Sequence, residues 1–191
     1  MELLLASAVS GVVAVATAAM LGAVAYGTRD GRDQRTLLVR QATTRARLDA
    51  ATRSAVMVLD HSDNHVLLWM GDTRENESPD LSELMLIELH ASSRQLQSRT
   101  ASFPASYTDE QVEAADTTYS TDDDFTSIIS SLKGGSLFPA QTWCKGVSQL
   151  RFDLDNESEP QSARLVSYRV WTTGERVADV LVGAGALRNE E

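Results

Sequence analysis

The sequence predicts an α+β protein: a long N-terminal helix, part membrane-spanning and part amphipathic, packed on an antiparallel β-sheet. Three observations predict it. No charged residue occurs from Leu3 to Tyr26. A helical period of apolar residues then continues to Asp60. From His65 the pattern changes to short apolar or alternating runs separated by turn residues.

The first element is the apolar run. As a helix it would be about 36 Å long at about 1.5 Å per residue, enough to cross a hydrocarbon core of about 30 Å. It has no positive start and is too long for a cleaved signal peptide, so a retained anchor is expected. Ser7 with Gly11, and Ala18 with Gly22, have the small-xxx-small spacing that lets helices approach closely in lipid. The other reading is that small residues are simply tolerated in a span.

Gly27 and Gly31 form a soft joint, and no proline precedes Pro79. The helix is therefore expected to continue through QRTLLVRQATTRARLDAATRSAVMVLD. Val39, Ala42, Ala46, Ala50 and Met57 fall on one face, while Leu37, Leu48 and Leu59 fall near the opposite one. Two stripes suggest a helix covered on both sides, by its own domain and by a neighbour. A single broad stripe with scattered leucines is the alternative.

HVLLW predicts a strand, and LMLIELH with QLQSRTAS predicts a hairpin turned by ASSR. Phe103 to Ser136, rich in Ser, Thr and Asp, predicts an irregular excursion with a short helix capped after Asp124. VSQLRFDL alternates apolar Leu150, Phe152 and Leu154 with polar residues, and ARLVSYRVWT and RVADVLVG follow as further strands. The expected division is a transmembrane helix over 1–27, an amphipathic extension over 28–60, and a sheet domain over 61–191. That domain carries an irregular acidic insertion at about 103–142.

The formal net charge of -10 hides an uneven distribution. Between Thr28 and Arg53 stand seven arginines against three aspartates. After Arg53 the chain has ten Lys and Arg against twenty-three Asp and Glu. An acidic body argues against nucleic-acid binding, which needs clustered cations. The basic collar suits anionic lipid headgroups or acidic neighbours. By the charge rule alone the collar would hold the body in the cytoplasm. The single cysteine, Cys144, forms no internal disulfide and reads as a small buried residue.

MELLLASAVSGVVAVATAAML resembles the start of the hydrophobic helix of type IV pilin-like proteins. Met1-Glu2-Leu3-Leu4 matches the tail of that family's Thr-Leu-x-Glu-Leu stretch, and its acid near the helix start falls on Glu2. The closing QLRFDLDNESEPQSARLVSYRVWTTGE resembles minor pseudopilins of type II secretion, most of all the J-type subunit. The resemblance implies a pilin-like fold and a structural subunit of a type II secretion or type IV pilus-like filament. It implies a basic leader ahead of this chain, cut by a prepilin peptidase, and methylation of the new N-terminus. It also implies an inner-membrane anchor, a periplasmic body, and other pilin-like subunits as partners through the N-terminal helix. The leader's basic residues would override the collar and place the body outside the inner membrane. Glu2 would set register by pairing with a neighbour's N-terminal amine, because an unpaired carboxylate beside an apolar segment is costly.

The remaining motifs predict little chemistry. DHSDNH places His61 and His65 four apart, a spacing that holds a metal on one helix face but here straddles a helix end. DTRENESPDLSE and DLDNESE read as solvated acidic loops, with a calcium loop as the lesser alternative, because the oxygen spacing is wrong. No nucleophile elbow, phosphate loop or HExxH occurs. His90 reads as a packing or capping residue, and Trp69, Trp143 and Trp171 as sheet anchors. The sequence therefore predicts no enzyme, no cofactor and no metal. A single-pass membrane protein with an extracytoplasmic ligand- or partner-binding domain is the alternative. A membrane-tethered metal hydrolase using His61 and His65 is a third.

Overall fold

The computed structural model describes residues 35–173 and 178–188. These residues are mostly antiparallel β: eight strands in two sheets, with three helices. The expected pilin-like α+β fold, one long helix on one antiparallel sheet, is corrected by this architecture. The membrane part of that helix, 1–27, lies outside the described residues.

Residues 35–54 form α1. No glycine or proline stops it, which is why the helical pattern reads on to Asp60. Tertiary hydrogen bonds stop it instead. The Val56 N–H donates to Trp69 O at 2.8 Å, and the Ala55 carbonyl accepts from Arg188 N at 2.8 Å. Met57 and Leu59 thus leave the helix for a strand.

The first sheet has the order β1 (Met57–Ser62), β2 (His65–Trp69), β3 (Leu84–His90), β4 (Gln95–Thr100) and β5 (Ala140–Lys145). All pairings are antiparallel. Its strands are apolar on both faces because both faces are covered. Val58, Val66, Leu68, Ile87 and Leu96 share one core with α1 and the second sheet. Leu59, Leu67, Trp69, Leu84 and Leu86 share another with Phe125, Ile129 and Phe138 of the excursion. One covering helix could not bury such a sheet, and this is the physical reason the single-sheet expectation fails.

The excursion carries α2 (Asp109–Ala115) and α3 (Phe125–Gly134). Thr108 and Gln111 form a capping box on α2, and the Asp124 carboxylate caps α3 by accepting from Ser127 N. β5 begins at Ala140, where sequence predicts irregular chain.

Gly146 then turns the chain from one sheet to the other. Its φ is +78°, and a Cβ there would lie 2.7 Å from Thr173 O. The second sheet, β6 (Val147–Leu154), β7 (Leu165–Thr173) and β8 (Ala178–Ala186), has the order β6-β7-β8. Its inner face presents Leu150, Phe152, Val166, Tyr168 and Val170 to the core it shares with α1.

Candidate interaction surface

α1 is half covered. Leu37, Gln41, Thr44, Leu48, Ala51 and Ala55 are buried at steps of three and four, one face of a 3.6-residue helix. Val39, Ala42, Ala46 and Ala50 lie on the opposite face and are exposed, Val39 at 60%. Of the two stripes read from sequence, the Leu37 and Leu48 stripe faces the domain and the alanine stripe faces outward.

Two glycines let the helix sit close to the second sheet. A Cβ at Gly185 would strike the Thr52 side chain, and one at Gly183 would strike the Tyr168 ring. Tyr168 reaches past Gly183 and donates its hydroxyl to Asp49 Oδ1 at 2.5 Å. Burial and the adjacent Asp49 carboxylate both push the Tyr168 phenol far above its ordinary range, so it stays a donor. Gln41 Nε2 donates to Thr172 Oγ1 at 3.2 Å.

The outer face of α1 is basic. Arg35, Arg40, Arg45, Arg47 and Arg53 are exposed. Arg45 lies 3.7 Å from Asp49, the one carboxylate among the described residues of the helix. Arg47 lies over Trp143, 6.0 Å from the ring centroid, and donates to the Trp143 carbonyl at 3.5 Å. Arg35 and Arg40 have no ion pair among the described residues.

The opposite side of the molecule is acidic. Beneath it lies a buried network. Arg74 bridges Asp80 at 3.5 Å and Asp116 at 2.9 Å. Asp116 also accepts from Ser82 N and Oγ, both at 2.7 Å. Glu83 accepts from Trp69 Nε1 at 3.0 Å and from Thr73 Oγ1 at 2.7 Å. Burial acts to raise the Glu83 carboxyl, but these donors outweigh it and hold the group below its ordinary value. The network clasps the excursion to the first sheet. Above it, Asp109, Glu110 and Glu113 on α2, and Asp122, Asp123 and Asp124 before α3, are exposed.

The aspartates of the acidic loops considered for calcium are engaged internally. Asp72 accepts from Asn76 N and Glu77 N, at 3.0 and 2.7 Å. Asp153 accepts from Arg151 and Arg169, each at 2.8 Å, and Asp155 from the backbone of Arg164 and Leu165. Among the described residues no group of three or more metal-ligating side chains converges.

The β1–β2 hairpin separates the two histidines. Ser62 pairs with His65 and His61 with Val66, so His61 and His65 point to opposite faces. His65 holds the turn instead, with Ser62 Oγ at 2.7 Å from Nδ1 and Asp60 Oδ2 at 3.2 Å from Nε2. His90 bonds to Ser93 Oγ at 2.7 Å inside its own turn, and Cys144 is buried.

Glu2, Ser7, Gly11, Ala18 and Gly22 lie outside the described residues. Sequence reasoning missed the Arg74 network and the close approach at Gly183 and Gly185. The first gave no periodic signal. The second was visible as VGAGA, glycine recurring on one face of a strand.

The described residues define a two-sheet antiparallel β domain with a half-covered basic helix along it. Among them no helix is long and apolar enough to cross a membrane. Comparison with protein families, with curated proteins and with solved structures finds no match for this chain.

Proposed function

We propose that the protein is a membrane-anchored structural subunit that assembles through its N-terminal helix, acting as a minor pseudopilin of a type II secretion or type IV pilus-like filament. The observation that carries this reading is the exposed stripe Val39, Ala42, Ala46 and Ala50, which the protein's own domain leaves uncovered. In sequence the stripe lies beyond a charge-free run of membrane length headed by Glu2, with the start of the basic collar between the two. A helix needs one apolar face to hold its domain. A second, small-residue face allows close approach by something else.

On this reading Leu3 to Tyr26 anchors the chain in the inner membrane with the body in the periplasm. A prepilin peptidase processes it, the new N-terminus is methylated, and neighbouring subunits pack along Ser7, Gly11, Ala18 and Gly22. Glu2 sets their register. The expected result is a methylated N-terminal amine on protein extracted from native membranes, read by mass spectrometry of the N-terminal peptide. An unmethylated, unprocessed terminus overturns the reading. Glu2→Leu should leave the protein in the membrane but exclude it from filaments, measured by fractionation.

A second reading, a single-pass membrane protein with a partner-binding outer domain, is favoured by β8. That outermost strand exposes Val180 and Val182, the latter at 58%, and Asp179 is its only charge. This reading predicts no methylation and tolerance of Glu2→Gln.

A further inference from the structure

We infer that the outward face of α1 docks against the acidic α2–α3 side of a second copy of this chain, head to tail, and not against the same helix of that copy. The inference rests on the assembly reading above and names the contact made outside the membrane. Five exposed arginines flank and end the Val39, Ala42, Ala46 and Ala50 stripe, and among the described residues of α1 Asp49 is the only carboxylate. Two such faces laid together would set arginine against arginine, and like charges at short range repel. A partner for this stripe has to be acidic.

The same molecule carries that partner on its far side. α1 packs into the core on one face of the first sheet, while the excursion packs into the core on the other. The excursion from 101 to 136 holds seven acidic residues and one cation, Lys133. Lys133 is engaged with Glu88 at 2.5 Å. Asp109, Glu110, Glu113 and Asp122 are exposed and make no ion pair among the described residues; Arg74, which lines a shallow pocket with Asp109 and Glu113, is engaged by Asp80 and Asp116. Basic and acidic surfaces thus lie on opposite sides of one chain. Complementary patches on opposite sides do not satisfy each other within a two-fold dimer. They propagate from copy to copy as an open or ring-closing series.

The test uses the full chain in detergent micelles, with self-association read by sedimentation velocity at low and high salt. Arg35→Glu with Arg40→Glu is one variant. Glu110→Lys with Glu113→Lys and Asp122→Lys is the other. Each should weaken self-association at least tenfold, as should high salt for the wild type. Mixing the two variants should restore association, which also shows that both are folded. A disulfide cross-link gives a charge-independent reading: Ala46→Cys on one copy should join Ala114→Cys on another, in preference to joining itself. Unchanged association in either charge variant, or a dominant Ala46→Cys homodimer link, overturns the inference. So does loss of binding to anionic vesicles in the arginine variant while both variants still self-associate, since the face would then be lipid-bound. A methylated N-terminus together with any of these results leaves the assembly reading standing and removes only this contact.

Discussion

Glu88 shows how a single charge is kept in this core. It sits on β3 with 6% of its surface exposed, facing the excursion. Arg99 Nε lies at 2.8 Å and Lys133 Nζ at 2.5 Å, and Arg99 also donates to the Phe138 carbonyl at 3.1 Å. One carboxylate therefore ties β3, β4, α3 and the chain before β5. Burial acts to raise its carboxyl, but the hydrogen bonds and charges of Lys133 and Arg99 outweigh it and hold it below the ordinary value of 4.5. A depressed carboxyl stabilises the fold fully above its unfolded value. That contribution is lost as pH falls through the folded one. Glu88→Gln should cost about 2 kcal/mol at neutral pH, since it leaves two cations short of a partner. The gap between variant and wild type should close as pH drops below 4.5. Chemical denaturation at a series of pH values checks this, and a pH-independent gap would show that the pair contributes by packing alone. In the sequence Glu88 is one charge in LMLIELH, with no sign that two cations from distant segments wait for it.

At the scale of elements, α1 and β8 are fitted to each other. A helix normally meets a sheet at a distance set by side chains on both. Here Gly183 and Gly185 remove them on the strand, and Tyr168 and Thr52 fill the space. Gly185→Ala should therefore destabilise the fold by about 1–3 kcal/mol, the usual cost of overpacking. Ala184→Val, on the exposed face of the same strand, should be close to neutral. Thermal unfolding of the two variants makes the comparison. Similar losses in both would mean that the strand resists added bulk on either face and that close approach of the helix is not what the glycines serve, since both changes raise strand propensity. α1 itself was legible as helix from its period, and its stripes were legible as two. Which stripe faced inward was not. Both are apolar at the right spacing, and the choice depended on the shape of the sheet opposite.

At the scale of the whole molecule, the described residues contain two cores, one on each face of the first sheet. The residues described in them run from Leu48 to Leu187. A chain beginning at Thr28 should therefore be soluble and folded, with a single cooperative unfolding transition by circular dichroism. Aggregation of that chain would mean that residues before Thr28 bury part of the domain. The layering also separates charge, with arginines along α1 and carboxylates beyond the first sheet. Composition reported that asymmetry along the chain. Only the fold turned it into two opposite sides.

Local chemistry is what the sequence by itself determined. The charge-free run, the helical period after Gly31, the strands HVLLW, LMLIELH and VSQLRFDL, and the cap at Asp124 all follow from patterns within one element. Tertiary structure decided what depends on distant partners. Helix α1 ends at residue 54 because Trp69 and Arg188 capture the backbone beyond it, not because a residue there forbids helix. The strands divide into two sheets because Gly146 turns the chain and because a sheet apolar on both faces needs two covers. The buried carboxylates are tolerated because donors from residues up to 45 positions away in sequence reach them, as Lys133 reaches Glu88. Period and propensity act within a few residues, whereas burial is settled only when the whole chain has closed.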